Sequence, residues 1–245
     1  KADPNYTSIY QQLGQYWGEQ PGTSGPVYVG AFVMFLFILG LFIVKGPVKW
    51  ALLAATILSI MLSWGKNFMG LTDFFIDYMP MYAKFRTVAS ILVIAEFTIP
   101  LLAMLALKKL LDEPEQMKPR LKYVGISFLL TGGIAMLFSL MPSMFFDSFI
   151  STSEMSALRS LPSEHVGPLV ANLTEMRQAM FTSDCLRSFY IILVGTGILL
   201  AFFYGKLKKE YAIGIILVLC LVDLWTVNKR YLNDEMFVPK SERED

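Results

Sequence analysis

Residues 31–44 read AFVMFLFILGLFIV and residues 212–222 read AIGIILVLCLV, and neither run would have a polar side if it formed a helix. A helix in a soluble protein presents polar residues to water, so a run that is apolar all round must lie in apolar surroundings. These two stretches belong to a set of six apolar runs, each close to the roughly 20 residues that cross about 30 Å of hydrocarbon. The sequence therefore predicts an all-α, polytopic transmembrane helix bundle with about six spanning helices. The six runs are 27–44, 48–64, 88–107, 123–141, 186–204 and 211–227.

The composition agrees with this class of protein. Of the 245 residues 55% are hydrophobic and only 17% are charged, whereas soluble domains have about 25% charged residues. The net charge of +1 leaves no dominant basic patch, which argues against nucleic acid as a partner. Cys185, Cys220 and the single His165 are too few for a disulfide framework or a zinc site. The predicted partner is the lipid bilayer, and no resident metal site is predicted.

Basic residues predict how the bundle is oriented. Three short connections between the apolar runs hold ten lysines and arginines, whereas the other connections hold them more sparsely. Short loops rich in lysine and arginine face the cytoplasm. We therefore expect both ends of the chain to lie on the non-cytoplasmic side. The ten residues are Lys45, Lys49, Lys108, Lys109, Lys118, Arg120, Lys122, Lys206, Lys208 and Lys209.

The outer connections carry further helical signals. Residues 65–87 are too apolar for a solvated loop, and they predict a short interfacial helix that is broken at Pro80. Within residues 142–184, apolar residues recur at three- and four-residue spacing from position 169 to position 180, which predicts a second surface helix. We divide the chain into an extracytoplasmic entry segment (1–26), a membrane domain (27–227) and an extracytoplasmic tail (228–245). Because the chain begins at Lys1 without a methionine, we expect it to be part of a longer polypeptide whose C-terminal region follows the tail.

Charged side chains gather in the loop 65–87. Asp73 and Asp77 are four residues apart and would share one face of a helix. Such a pair can perform acid–base chemistry, hold a divalent cation, or form the solvated side of an amphipathic segment. Lys66, Lys84 and Arg86 would lie at the same membrane surface, where they could bind the phosphates of a lipid-linked donor or anchor headgroups by snorkelling. This loop is the predicted substrate-binding region.

Four charged residues fall in or beside the predicted spans. Glu96 and Asp223 lie inside apolar runs, where an ionisable group usually faces a cavity or a partner. Each could line a cavity or form structural hydrogen bonds. Asp184 and Arg187 stand three residues apart at the start of the fifth run. We expect Asp184 to cap that helix and Arg187 to pair with it.

The order and spacing of several motifs resemble a known family. They are 20–28 (QPGTSGPVY), 62–69 (LSWGKNFM), 77–86 (DYMPMYAKFR), 183–188 (SDCLRS), 223–225 (DLW) and 229–233 (KRYLN). Together they resemble the YfhO-type bacterial membrane proteins, especially the long versions found in Bacteroidota. The chain departs from that pattern after Arg86, where many relatives carry a second arginine and residues 87–90 read TVAS.

The resemblance implies a GT-C type glycosyltransferase in the bacterial inner membrane. Such enzymes take a sugar from a polyprenyl-phosphate donor and transfer it outside the cytoplasm. On the hypothesis of such an enzyme, we expect Lys66, Lys84 and Arg86 to hold the donor phosphate, and Asp73 and Asp77 to hold a divalent cation or the acceptor.

The resemblance also places the catalytic carboxylate in an outer loop that comes before this chain. The chain would then need the remaining parts of its parent polypeptide for catalysis. The alternative reading is a non-enzymatic membrane module, either a transporter core or a scaffold for an extracytoplasmic domain. A transporter should have polar residues at the membrane midplane and discontinuous helices in matched positions.

Overall fold

A computed structural model of the protein describes residues 17–18, 27–84, 88–146, 148–160 and 162–232. All regular secondary structure in these residues is helical, which confirms the all-α prediction. Most of the predicted entry segment and tail, and Arg86, lie outside the described residues. In chain order the helices are α1 (Ala31–Ile43), α2 (Val48–Ser63), α3 (Met69–Tyr78), α4 (Val93–Asp112), α5 (Pro114–Met117), α6 (Leu121–Phe128), α7 (Ile134–Leu140), α8 (Pro142–Phe145), α9 (Thr152–Leu158), α10 (Ser163–Phe203) and α11 (Lys209–Tyr231).

Four helical segments of the described chain are long and apolar enough to cross a membrane: Ala89–Asp112, Lys118–Leu140, His165–Phe203 and Lys209–Tyr231. A fifth span results if α2 and the segment Gly65–Tyr78, which meet at a bend of 110°, are taken as one. The prediction of about six spans is therefore corrected to four or five. The first apolar run falls short because α1 has 13 residues, a length of about 20 Å at 1.5 Å per residue.

The described residues pack as two units: residues 17–18 with 132–146, 148–160 and 162–190 form the first, and residues 27–84 and 88–131 with 191–232 form the second. In the second unit α1 is the central helix, and eight of its residues are buried. Phe35 and Leu39 are fully buried there, as is Leu102 of α4. Gly40 permits this close packing, because a Cβ at that position would lie 2.9 Å from Leu102 Cγ. Neighbouring helices thus supply most of the apolar surroundings that the sequence of α1 requires.

Helix α11 has the same apolar pattern but a different environment. Leu217, Val218, Leu221 and Val222 are each 55–59% exposed. Such a surface is larger and more continuous than the scattered apolar residues that water-soluble proteins expose. It is suited to contact with a lipid bilayer.

The first unit contains a ring cluster and a small aliphatic core. Trp17 packs edge-on against Phe146, Phe149 and Phe181. The aliphatic core consists of Ile150, Leu158, Leu169 and Leu173. Leu169 and Leu173, which belong to the predicted apolar face, are buried in this core. The prediction of a separate surface helix there is wrong, because α10 continues without a break from Ser163 to Phe203.

Candidate functional site at the bent helix pair

The bend between α2 and α3 is fixed by local hydrogen bonds. Gly65 has a positive φ of 48°, in the left-handed region that favours glycine. The Thr72 hydroxyl is buried and donates to the Gly65 carbonyl at 2.9 Å. This bond ties the second turn of α3 to the corner, so the direction of α3 is set by the sequence around the bend.

Helix α3 combines exposed carboxylates with exposed apolar side chains. Asp73 and Asp77 are both exposed, one helical turn apart. Phe74, Ile76 and Tyr78 on the same helix are also exposed, Tyr78 at 73%. The short helix predicted for this loop is confirmed, and it ends before a turn at Pro80. Its place at a membrane interface stays a prediction.

Two of the three predicted cations are described, and both flank α3. Lys66 lies in the helical turn Gly65–Phe68 that leads into α3, and Lys84 lies in the turn Tyr82–Lys84 that follows it. Both side chains are exposed. Residues 65–84 therefore carry four of the five predicted substrate-binding residues, three of them in the bent helix pair and Lys84 just after it. The fifth, Arg86, lies outside the described residues.

The two carboxylates are not part of a larger ligand set within the described chain. No group of three or more histidine, cysteine, aspartate or glutamate side chains is placed there to hold a metal ion. Mg²⁺ at substrate sites commonly takes one or two carboxylates, and substrate phosphates and water complete its coordination. Asp73 and Asp77 could therefore share a cation only with such a ligand.

Glu96 and Asp223 have contrasting environments. Glu96 is exposed on the surface of α4, and its expected role in a cavity stays a prediction. Asp223 is 1% exposed. Its carboxylate accepts hydrogen bonds from the Tyr28 hydroxyl at 2.9 Å and from the Ala31 amide at 2.8 Å. Ala31 begins α1 directly after Gly30, whose φ is 97°.

Asp223 therefore supplies from α11 the N-terminal cap that α1 lacks in its own sequence. The N-cap residue Gly30 has no side chain to accept the first free amides of the helix. A carboxylate also suits the partial positive charge at that helix end. Of the two alternatives for Asp223, this geometry matches the structural one.

The predicted helix cap at Asp184 is corrected by the structure. Asp184 lies deep inside α10, where backbone amides are already hydrogen-bonded within the helix, so it is not an N-cap. Arg187 does lie beside it, with 4.0 Å between Arg187 Nη2 and Asp184 Oδ1. That distance is at the outer limit of an ion pair.

A buried ion pair in the first unit was not anticipated. The Arg177 guanidinium is 2% exposed and donates to both carboxylate oxygens of Glu154, at 2.8 and 2.6 Å. It also donates to the Phe149 carbonyl at 2.8 Å. Glu154 further accepts from the Ser151 amide at 2.9 Å and completes a capping box at the start of α9. Burial alone would raise the pKa of Glu154, but the hydrogen bonds from Arg177 and Ser151 outweigh it and hold that pKa below its usual value.

Two signals in the sequence point to this pair. Residues 151–154 read STSE, which is the capping-box pattern of serine followed three residues later by glutamate. Arg177 falls four residues after Leu173 and eight after Leu169, on the apolar stripe of the helix. A charge on a buried stripe requires a partner.

No family model, curated protein or solved structure matches the chain. The fold defines the class of the protein: the described part is all-helical and has four or five candidate membrane spans. Its long apolar helices suit contact with lipid. The features above are therefore interpreted from their own chemistry.

Proposed function

We propose that the chain is the membrane-embedded part of a glycosyltransferase that uses a polyprenyl-phosphate-linked sugar at the extracytoplasmic membrane surface. The observation that supports this function is the short helix α3 after the sharp bend, which carries exposed carboxylates and apolar side chains and is flanked by two exposed lysines. The motif order of the chain, which resembles the YfhO-type proteins, supports the same function.

The chemistry of the donor fits this surface. A polyprenyl phosphate has a long apolar tail and an anionic headgroup, so it needs apolar contact and positive charge side by side. Exposed Met69 and Phe74 offer apolar contact, and Lys66 and Lys84 offer charge at both ends of α3. Each lysine near a membrane surface contributes about 1 kcal/mol toward an anionic lipid.

Asp73 and Asp77 would bind the donor phosphate indirectly. Together they would hold a divalent cation whose remaining ligands are the phosphate oxygens. One carboxylate can instead orient the acceptor hydroxyl. The nucleophile-activating base is not assigned to a residue of this chain, and the proposed role of α3 and its flanking lysines is donor binding.

The test compares binding of a polyprenyl phosphate with binding of the matching polyprenol to the full chain in phosphatidylcholine nanodiscs. We expect the phosphate to bind more tightly than the alcohol. The double variant Lys66→Gln/Lys84→Gln should weaken phosphate binding about 25-fold and leave the alcohol unchanged. Asp73→Asn/Asp77→Asn should abolish any strengthening by Mg²⁺.

The matched control is Lys45→Gln/Lys206→Gln, which removes two exposed lysines from connections without predicted site residues. It should bind the phosphate as the parent chain does. Equal affinity for phosphate and alcohol, or an unchanged affinity in Lys66→Gln/Lys84→Gln, would contradict the proposal.

A further inference from the structure

A pocket of about 590 Å³ opens in the second unit, where α4 and α10 end and α11 begins. One wall is formed by Pro114, Glu115 and Lys118, and the other by residues 202–205 and 207–210. Its volume lies within the roughly 300–1,000 Å³ that is usual for small-molecule sites. Because the three helices are candidate membrane spans, their ends place the pocket at the boundary between hydrocarbon and water.

An ion pair beside the pocket joins the lining residue Lys209 to Asp112 at the end of α4. Lys209 Nζ lies 2.5 Å from Asp112 Oδ1, and these residues are 97 positions apart in the chain. A second pair, Lys118 with Glu115 at 2.7 Å, lies within one wall. The Lys209–Asp112 pair connects the end of α4 with the start of α11, which holds the two helix ends together beside the pocket.

The pocket has a basic rim and an apolar floor. Lys118, Lys208 and Lys209 line it, and among the described residues no ion pair joins Lys208. Glu115 and Glu210 also line it, so the lining itself has a net charge of +1. The two connections around it, residues 108–122 and 204–211, hold eight basic and four acidic residues, a net charge of +4. Phe203 forms a buried part of the lining, and Tyr204 beside it is 70% exposed.

We propose that this pocket binds the headgroup phosphate of an anionic phospholipid. Basic pockets between transmembrane helices are suited to anionic headgroups. The apolar part of the lining would contact the glycerol and upper acyl region. The exposed side chains of Ile213 and Leu217, one and two turns into α11, would continue that path toward the hydrocarbon. A free phosphate ion would leave this apolar surface unused, so the lipid is the better fit.

The test measures retention of phosphatidylglycerol by the full chain in detergent, using native mass spectrometry and thermal unfolding. Phosphatidylglycerol should raise the unfolding temperature, while phosphatidylcholine and inorganic phosphate should not. Lys118→Gln/Lys208→Gln should weaken phosphatidylglycerol binding about 25-fold, since two surface lysines are removed. Lys45→Gln/Lys206→Gln removes the same charge from exposed positions outside the pocket lining and should keep the affinity.

Three results would overturn the proposal. The first is an equal loss in both double variants, which would indicate diffuse attraction of anionic lipid. The second is no preference for phosphatidylglycerol over phosphatidylcholine. The third is stabilisation by inorganic phosphate alone, which would assign the pocket to the free ion. Elution of both variants at the parent volume in size-exclusion chromatography confirms that lost binding does not reflect unfolding.

Discussion

Arg177 shows how a single charged side chain can be accommodated inside the first unit. Its guanidinium is planar and has donors in a fixed fork, which matches the two oxygens of Glu154. A third acceptor, the Phe149 carbonyl, lies 2.8 Å away. Such a pair is weak evidence for net stabilisation, but removing one partner leaves an uncompensated buried charge. The stability of the first unit should therefore fall when Glu154 no longer provides a charge for Arg177.

The first prediction concerns Glu154→Gln and its dependence on pH. At pH 7 this variant should lose about 3 kcal/mol of the free energy of unfolding, because Arg177 stays buried without its counter-charge. The folded-state pKa of Glu154 is lowered. Its stabilisation in the parent chain is therefore complete above the ordinary glutamate pKa of about 4.3 and is lost as the pH falls through the lower folded value. The variant should lack this part of the acid dependence.

Trp17 is a suitable reporter for this measurement, since its ring lies 4.6 Å from that of Phe149. Denaturant unfolding in detergent would be followed by its fluorescence after the other three tryptophans are replaced with phenylalanine. Glu175→Gln, an exposed change on α10, is the control and should alter stability by less than about 0.5 kcal/mol. An unchanged stability of Glu154→Gln at pH 7 would show that the pair contributes nothing.

At the scale of elements, the packing of α1 against α10 depends on Gly195. A Cβ there would lie 2.3 Å from two atoms of the Phe32 ring. Phe32 is 1% exposed, so its ring has no free space into which it can turn. Gly195→Ala should therefore destabilise the second unit by about 1–3 kcal/mol, the usual cost of overpacking.

The control for this prediction is Gly197→Ala on the same helix. A Cβ at Gly197 meets nothing within 4 Å, and the residue is exposed. Unfolding of both variants in detergent should show a loss for position 195 and none for position 197, where alanine favours the helix. Equal effects at the two positions would mean that helix propensity, and not the Phe32 contact, decides the outcome.

The sequence predicts where helices form better than where they break. Each of the six apolar runs contains a helix, because hydropathy alone marks those runs. The continuity of α10 is harder to predict, since residues 181–185 (FTSDC) look like a loop. The chain has neither glycine nor proline between Pro168 and Gly195, so nothing in it requires the helix to stop there. Helix α1 begins only after Gly30, whose φ is positive. The apolar pattern of residues 27–44 does not predict that starting point.

Site residues could be predicted only where their partners are near in sequence. The capping box at Ser151 and the carboxylates of α3 follow from local spacing. The hydrogen bond of Asp223 to Ala31 joins residues 192 positions apart. It depends on how α11 packs beside α1, and no local pattern encodes that arrangement. For the same reason the sequence does not predict the pocket, whose two walls come from distant parts of the chain.

For the whole molecule, the property with the largest consequence for the proposed function is the orientation of the helices in the membrane. The exposed apolar face of α11 suits lipid from either direction, so hydropathy does not choose a side. The choice depends on the ten basic residues in three short connections. They can all face the cytoplasm only if the bent helix pair forms the fifth span. The end of α3 then lies outside, as a donor-binding surface for extracytoplasmic transfer requires.

Single cysteines in a Cys185→Ser/Cys220→Ser background test this orientation. Asp77→Cys places a thiol on exposed α3, and Lys45→Cys places one in the first basic connection. A membrane-impermeant maleimide applied to intact cells should label position 77 and not position 45, whereas both should react after permeabilisation. The reverse pattern would put the bent helix pair in the cytoplasm and exclude extracytoplasmic sugar transfer there. The phospholipid pocket would survive that result, because its chemistry depends on the end of the helices and not on the side of the membrane.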